Sequence, residues 1–265
     1  MRKPRIDILT LFPDYFQGPF TVSMVKRAQE NGAVNLQLHD LRRWATDKHH
    51  KADDVPYGGG AGMVMKPEPL FKALKALKGR RQGVRTVLLS PQGQRLDHRK
   101  VLELSQIPSL ILICGHYEGL DERVMDQVDE EISLGDFVLT GGEPAAAALV
   151  DSLVRFLPGV VGDRQSVEKD SFFNGLLDYP HYTRPRVFKG RGVPEVLLSG
   201  NHAQIERWRK KQSLKNTIHK RPDLLEKAVL SDEDQRLIQE VREELNGREK
   251  PGLAGLHRAV RERKK

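Results

Sequence analysis

Apolar and polar residues over the first 160 positions form alternating strand-like and helix-like segments. Strands are predicted, from period-two alternation or short apolar runs, at Arg5–Leu11, Val34–Asp40, Val84–Ser90 and Ser109–Cys114. Helices are predicted, from apolar residues at helical spacing, at Pro67–Leu77, His98–Ser105 and Ala145–Leu157. Strands that alternate with helices are typical of an α/β fold with a mostly parallel sheet.

The pattern changes to helical spacing alone after Gly200. Helices are predicted there at Ala203–Ile218, Pro222–Leu230 and Asp232–Leu245. Residues Pro158–Lys169, between the two patterns, are rich in Gly, Asp and Ser, a composition typical of a mobile linker. We therefore predict an α/β domain over residues 1–160 and a flexible linker over residues 161–175. A basic helical domain over residues 176–246 and a disordered charged tail over residues 247–265 are predicted to follow.

Positive charge is concentrated in one part of the chain. The 265 residues include 44 Lys and Arg against 36 Asp and Glu, a formal net charge of +8. Residues 181–221 alone hold eleven Lys and Arg against two Glu, so the rest of the chain is close to neutral. This distribution favours a polyanionic partner such as nucleic acid, with a solvated basic face as the alternative.

Several classes of protein lose support. A single cysteine, Cys114, rules out an intramolecular disulfide and a cysteine zinc cluster, and its apolar surroundings predict a buried thiol. The sequence lacks a phosphate loop, a dinucleotide-binding fingerprint, an H-E-x-x-H motif and a G-x-S-x-G elbow. No apolar run approaches the roughly 20 residues that cross a bilayer, and the N-terminus does not resemble a signal peptide. We expect a cytoplasmic protein without a membrane partner.

Glycine-bearing turns follow the apolar runs of the first domain. The four turns are Ser90–Gly93, Gly115–Gly119, Ser133–Asp136 and Leu139–Gly142. Ligands of open α/β sheets bind beyond the carboxyl ends of strands, and glycine allows a flat ligand to approach the backbone closely. Each turn alone is ordinary, but together they predict one convergent pocket.

Two further segments each allow two interpretations. Tyr57–Gly62 is either a flexible surface loop or a loop that closes over a substrate. Pro180–Pro185 (PHYTRP) suits stacking and phosphate contact with single-stranded RNA, or forms a rigid interdomain turn. From the residues alone, Asp170 is best interpreted as the N-cap of a short helix over Ser171–Leu176.

Eight strings carry a family resemblance. They are LTLFPDYF (9–16), DDVPYGGGAGMVMKPEP (53–69), LLSPQGQ (88–94), ICGHYEGLDERV (113–124), ISLGDFVLTGGE (132–143), RFLPGV (155–160), DSFFNGLLDYPHYTRP (170–185) and PEVLLSGNHAQIERWR (194–209). Up to about residue 245 the chain resembles the bacterial tRNA (guanine-37-N1)-methyltransferases, the TrmD family of the SPOUT class. It departs locally in the Pro-Ala-Ala-Ala-Ala run that begins at Pro144, and its tail has no counterpart.

The resemblance implies a fold, a reaction and partners. The fold is a parallel-sheet α/β domain with a deep trefoil knot, which forms the methyl-donor pocket, followed by a small all-α C-terminal domain. The reaction moves a methyl group from S-adenosylmethionine to N1 of guanosine 37, preceded by guanosine 36, in the anticodon stem-loop of tRNA. The enzyme is implied to be a homodimer with active sites at the subunit interface. The resemblance also allows Mg²⁺ to assist the methyl transfer, although the sequence contains no dedicated metal-binding motif.

The resemblance also implies roles for individual residues. Asp170 is the expected general base, and Arg155 is expected to orient the reacting groups. Binding of S-adenosylmethionine is expected at Leu88, Leu89, Ser90, Pro91, Gln92, Gly93, Gly115, Tyr117, Glu118, Gly119, Ile132, Ser133, Leu134, Gly135, Asp136, Phe137, Val138, Leu139, Thr140, Gly141 and Gly142. Binding of tRNA is expected at Asp54, Tyr57, Gly59, His181, Arg184, Asn201, His202, Arg207 and Lys210.

Two alternatives remain open. One is another RNA methyltransferase of the knotted class, which should lack the string over residues 170–185. The other is a non-enzymatic RNA-binding module, whose glycine turns would be structural loops without affinity for S-adenosylmethionine.

Overall fold

The chain divides into two compact units, one ending at Val167 and the other beginning at Glu168. A computed structural model describes residues 3–162 and 167–248. Part of the predicted linker (163–166) and most of the predicted tail (249–265) lie outside the described residues.

The first unit is built on a five-stranded parallel sheet. Its strands and a small antiparallel pair (β3 and β4) are β1 (Arg5–Thr10), β2 (Asn35–Asp40), β3 (Asp53–Asp54), β4 (Val64–Met65), β5 (Val84–Arg95), β6 (Ser109–Cys114) and β7 (Glu130–Ser133). The strand order of the sheet is β2-β1-β6-β5-β7, and every neighbouring pair is parallel. The predicted α/β fold with a mostly parallel sheet is therefore confirmed.

Helices cover both faces of this sheet. They are α1 (Ser23–Glu30), α2 (Pro67–Lys78), α3 (His98–Ser105) and α4 (Glu143–Val154). Leu110 and Leu112 of β6 pack in one apolar core with α1, α3 and α4, whereas Ile111 and Ile113 pack in a second core with α2. Because both faces are covered, β6 is buried at every position, which explains its continuous apolar sequence.

Three boundaries in this unit differ from the sequence prediction. Strand β5 continues past Ser90 to Arg95, with a register shift against β7 between Leu89 and Gln94. Helix α4 begins at Glu143 instead of Ala145, because Pro144 occupies the first turn, where its missing N–H costs no hydrogen bond. The helix also ends at Val154, three residues before the predicted end.

The second unit contains two long helices and a hairpin. The helices are α5 (His202–Lys220) and α6 (Asp232–Arg248), and the hairpin strands are β8 (Val187–Phe188) and β9 (Arg191–Gly192). Leu176, Leu214 and Leu237 form its small core. The hairpin corrects the prediction of an all-α domain. Its turn residues Lys189 and Gly190 both have positive φ, the geometry of a tight two-residue hairpin turn.

One predicted helix and one predicted cap of the second unit are absent. Residues Pro222–Leu224 form a single 3₁₀ turn, so the helix predicted over Pro222–Leu230 is wrong. Residues 171–176 form hydrogen-bonded turns, so Asp170 caps no regular helix there. None of the helices in the described ranges is long and apolar enough to cross a membrane.

Candidate active site

The glycine-bearing turns of the first unit meet around one cavity of about 400 Å³. The cavity lies beyond the carboxyl ends of β6 and β7 and beside the Leu89–Gln94 excursion of β5, where ligands of open α/β sheets bind. Eighteen residues predicted to hold the methyl donor line it: Leu88–Gln92, Gly115, Tyr117–Gly119, Ile132–Leu134 and Phe137–Gly142. The structure therefore brings together residues that are 54 positions apart in the sequence.

Three residues of the predicted donor set do not line the cavity. Gly93 lies against β7, where an added Cβ would be 2.5 Å from the carbonyl carbon of Glu131. Gly135 is held by Ser133, whose hydroxyl donates to its carbonyl and accepts from its N–H. Asp136 follows as an exposed residue. These residues belong to the walls and turns behind the lining.

Six lining residues were missed by the sequence analysis: His116, Leu120, Glu122, Met125, Glu131 and Ala145. Most continue the strings already singled out, on either side of their glycines. Ala145 was missed because the start of α4 was placed two residues too late.

Two cavity loops cross at Gly142. Its N–H donates to the carbonyl of Gly115 at 2.8 Å, and an added Cβ would be 2.7 Å from Cα of Cys114. The sequence analysis attributed these glycines to close approach of a ligand. At Gly142, packing of one backbone segment against another is already sufficient reason for the missing side chain.

A buried polar network supports the wall of the cavity. Glu143, the first residue of α4, is 3% exposed, and one of its carboxylate oxygens is 2.6 Å from Nε2 of His116. The hydroxyl of Thr10, at the end of β1, donates to the other oxygen. The same Thr10 oxygen accepts the N–H of Phe12 at 2.9 Å, and the Phe12 ring packs on His116 at 5.0 Å. His116 is thus fixed by residues from both ends of the unit.

Two ionisable groups next to this network have raised pKa values. Burial, followed by the nearby Glu143 carboxyl, raises the pKa of the Cys114 thiol well above its ordinary value. Burial, followed by the Asp53 carboxylate, raises the pKa of Tyr117. Tyr117 also has a φ of 60°, which is uncommon for a residue with a side chain. Both groups are held in the neutral form at physiological pH.

The loop over Tyr57–Gly62 reaches the margin of the cavity at its C-terminal end. The N–H of Glu118 donates to the carbonyl of Met63 at 3.0 Å, and Gly62 lies directly against the Glu118 side chain. The other end of the loop projects into solvent, with Tyr57 fully exposed. Asp54 and Gly59, both predicted to bind tRNA, are exposed in the same region.

The two predicted catalytic residues lie in different units. Arg155 is exposed and follows the last turn of α4 in the first unit. Asp170 is half-buried near the start of the second unit, where its carbonyl accepts the N–H of Phe173 at 3.4 Å.

The remaining residues predicted to bind tRNA lie in the second unit and are mostly exposed. His181 forms a 2.8 Å contact with Asp178, and Asn201 caps α5 by accepting the N–H of Gln204. His202 begins α5, and Arg184 precedes the hairpin.

The positive charge of α5 is partly neutralised by α6. Arg207 pairs with Glu240 at 2.6 Å, and Lys210 pairs with Asp234 at 3.1 Å. Both acids lie beyond residues 181–221, over which the excess of positive charge was counted, so part of that excess is paired within the unit. Within residues 3–162 and 167–248, the hairpin region retains cations without ion pairs: Arg184, Lys189 and Arg191.

Metal-binding side chains do not converge in the described part of the chain. No group of three His, Cys, Asp or Glu residues there could hold an ion.

Comparison with known proteins identifies relatives over most of the chain. The family profile described as tRNA (Guanine-1)-methyltransferase TrmD matches residues 4–227. A tRNA (guanine-N(1)-)-methyltransferase of Dehalococcoides mccartyi is 54% identical over 244 residues, which cover 91% of this chain and 98% of that relative. A protein of the same name from Geobacter metallireducens is 54% identical over 240 residues, which cover 90% of this chain and 98% of that relative. Another, from Carboxydothermus hydrogenoformans, is 55% identical over 235 residues, which cover 88% of this chain and 92% of that relative. The chain therefore belongs to the tRNA (guanine-1)-methyltransferase TrmD family.

Proposed function

We propose that this protein transfers a methyl group from S-adenosylmethionine to N1 of a guanosine in tRNA, at position 37 and preceded by guanosine 36. The observation that carries the proposal is the cavity at the carboxyl edge of the sheet, formed by eighteen of the residues expected to hold the donor, in a chain of this family. The position in the tRNA follows from the family resemblance.

The cavity suits an adenosyl group. Its volume of about 400 Å³ lies in the usual range for small-molecule sites. Leu88, Ile132 and Ala145 offer apolar contacts, and the glycine turns offer backbone donors and acceptors that can bind the edge of a base. When bound, S-adenosylmethionine supplies a methyl group made electrophilic by its sulfonium, so the reaction needs no nucleophilic side chain. His116, fixed by Glu143, holds one wall in place.

Asp170 and Arg155 are proposed to act on the guanine. N1 of neutral guanine carries a proton, which must leave as the new N–C bond forms, and the Asp170 carboxylate accepts it. The electron pair that the N–H bond leaves behind is a negative charge shared between N1 and O6 until it forms the N–C bond, while the pair of the broken methyl–sulfur bond would stay on the donor sulfur. The Arg155 guanidinium is a permanent cation that stabilises this charge.

The knot and the homodimer belong to the same proposal. Backbone segments cross closely at Gly142 against Cys114 and at Gly93 against Glu131, as expected of a threaded chain. Phe137 and Val138, beside the cavity, are 56% and 81% exposed. Apolar side chains exposed at such a site are typical of a surface that another subunit or a substrate covers.

Methyl transfer to two transcripts tests the reaction. Both transcripts would carry guanosine 37, one after guanosine 36 and the other after adenosine 36, with labelled S-adenosylmethionine as donor. We expect label in the first transcript only, and a reverse-transcription stop at position 37. Donor binding without label in either transcript would favour another RNA substrate, whereas absence of donor binding would favour the RNA-binding module.

The role of Asp170 is tested by Asp170→Asn, which keeps the size of the side chain but removes the base. We expect turnover to fall by about 10²–10⁴-fold, the usual contribution of general base catalysis, while calorimetry shows unchanged donor binding. Asp151→Asn is the control, because Asp151 is an exposed carboxylate of α4 with no proposed role. Equal turnover of the two variants would exclude Asp170 as the base.

A further inference from the structure

The second unit contains a cavity that the proposed reaction does not use. Its volume is about 380 Å³, and none of its lining residues belongs to the cavity of the first unit. We call it the aromatic cavity, defined by Tyr179–Arg184, Arg186, Val193, Leu197, Leu198, Ile205, Trp208 and Arg209. It lies between the PHYTRP segment and the first half of α5.

Two rings form inclined walls of the aromatic cavity. The ring centroids of Tyr182 and Trp208 are 6.3 Å apart, with an angle of 56° between the planes. Tyr182 is 50% exposed, and Trp208 is half-buried, so one ring faces solvent and the other faces the interior of the cavity. A flat ligand can therefore stack on one ring while its edge contacts the other.

The floor of the cavity is apolar, and its rim is cationic. Val193, Leu197 and Ile205 are half-buried along the floor. Arg184 is exposed and forms no ion pair with the described residues, whereas Arg186 is paired with Glu195 at 3.0 Å. An apolar floor below a cationic rim matches a flat ring carried on an anionic backbone, and is a poor match for a neutral or basic peptide.

Arg209 adds a cation to the lining of the cavity. Its guanidinium lies 5.1 Å from the centroid of the Tyr179 ring, and its Nη1 pairs with Glu206 at 2.7 Å. A guanidinium held in this way is a fixed positive group beside the two rings, and favours a flat, electron-rich ligand.

We propose that the aromatic cavity binds one unpaired nucleobase of the tRNA, other than the base that is methylated. The base stacks on Trp208 or Tyr182 beside the Arg209 guanidinium, and Arg184 contacts an adjacent phosphate. The methylated base must leave its N1 edge open to the donor, whereas a base in this cavity has its face and edge covered. The identity of the RNA as tRNA rests on the proposed function.

Fluorescence of Trp208 reports occupancy directly. The chain has two tryptophans, so Trp44→Phe in the full-length protein leaves Trp208 as the sole emitter and the cavity unchanged. Anticodon stem-loop RNA would be titrated without donor, intact or with a single abasic nucleotide at each loop position in turn. We expect the intact RNA to quench Trp208, and one abasic position other than 37 to remove the quenching.

Affinity measurements test the same contact energetically. Trp208→Leu should weaken binding of intact RNA about tenfold, which is within the range for loss of one base–aromatic stack. It should not change the affinity for the RNA that is abasic at the critical position, because that RNA has no base to stack. Phe71→Leu is the control, because Phe71 is an exposed aromatic residue outside both cavities, with no proposed role in RNA binding. Tyr182→Leu provides a second variant if Trp208→Leu does not fold.

The outcomes separate this proposal from the proposed function. Methyl transfer without quenching, equal quenching by fully paired RNA, or loss of quenching only with an abasic position 37 would each overturn the aromatic cavity as a base site. A Trp208 signal that depends on protein concentration alone would also overturn the proposal, and would indicate that a second copy of this chain occupies the aromatic cavity. Position-dependent quenching without methyl transfer would support the cavity and contradict the proposed function.

Discussion

The pairing of α5 with α6 leads to a quantitative prediction about salt. Each phosphate contact by a Lys or Arg contributes about 0.7 to 0.9 to the slope of log affinity against log salt concentration. Lys189 and Arg191 form no ion pair with the described residues, so both are available for phosphates. Lys189→Gln with Arg191→Gln should therefore reduce the slope by about 1.4 to 1.8. Over a fourfold change in salt, this corresponds to roughly a tenfold smaller loss of affinity.

The matched control removes a cation together with its acidic partner. Arg207→Gln with Glu240→Gln leaves the net charge unchanged. It removes the pairs of Glu240 with Arg207 and with Lys211, but Lys211 is still paired with Glu244 at 2.8 Å, so no cation is left unpaired. If pairing decides which cations contact phosphate, the slope of this variant should stay within about 0.3 of the parent value.

Filter-binding or fluorescence titrations with full-length tRNA between 50 and 200 mM salt would measure both slopes. A slope reduced by 0.7 or more in Arg207→Gln with Glu240→Gln would show that Arg207 exchanges Glu240 for a phosphate. An unchanged slope in the hairpin variant would show that β8 and β9 do not contact RNA. Either result would refute the reasoning from ion pairs.

Three further predictions concern the first unit. Gly142→Ala should lower the free energy of unfolding by about 1–3 kcal/mol in denaturant titrations and abolish donor binding. Gly18→Ala is the control and should do neither, because no atom lies within 4 Å of the added Cβ. Equal stability of the two variants would contradict the crossing of the cavity loops. Burial raises the pKa of Asp7, but hydrogen bonds from His39, Arg5 and Arg81 outweigh it and hold the pKa well below its ordinary value. This stabilisation is therefore complete above about pH 5 and is lost as the pH falls further. The free energy of unfolding of Asp7→Asn should therefore be about 3 kcal/mol lower at pH 7, and should fall less steeply as the pH is lowered. An unchanged dependence of stability on acid pH would exclude the Asp7 carboxylate as a cause of the acid sensitivity. The buried thiol of Cys114 should react with thiol reagents only after unfolding, and rapid labelling of the folded protein would show that the core opens locally.

Elements with a strong local signal were predicted accurately from the sequence. Strand β6 is apolar throughout because both faces are covered, and α3 starts at a clear cap, where the Asp97 side chain accepts the N–H of Lys100. Helix α1 has no comparable signal, since Val22 at its N-cap makes no side-chain hydrogen bond. Strand β7 is four residues long and begins with two glutamates, so tertiary pairing with β5 determines it.

The candidate site was predictable only in part, because some of its contacts depend on how distant segments pack. Parallel strands place their carboxyl ends at one edge, so the turns that follow them could be assembled into a cavity from the sequence. The contact between His116 and Glu143 could not, because it requires the loop crossing at Gly142, which no local pattern encodes. The charge of α5 was overestimated for a similar reason. The acids that pair with it come from a helix 20 or more residues further along the chain.

The bond between Thr10 and Glu143 joins residues 133 positions apart, and β1 pairs with β6 at Ser109. Contacts of such high sequence separation slow folding, because a long loop must close before they form. During synthesis at about 5–20 residues per second, β2 follows β1 early, but β6, the partner on the other edge of β1, follows only after roughly 5–20 s. Five of its six residues are buried in the native unit. The nascent chain therefore presents an apolar strand edge to other chains for several seconds, a hazard for yield that the stability of the finished protein does not reveal.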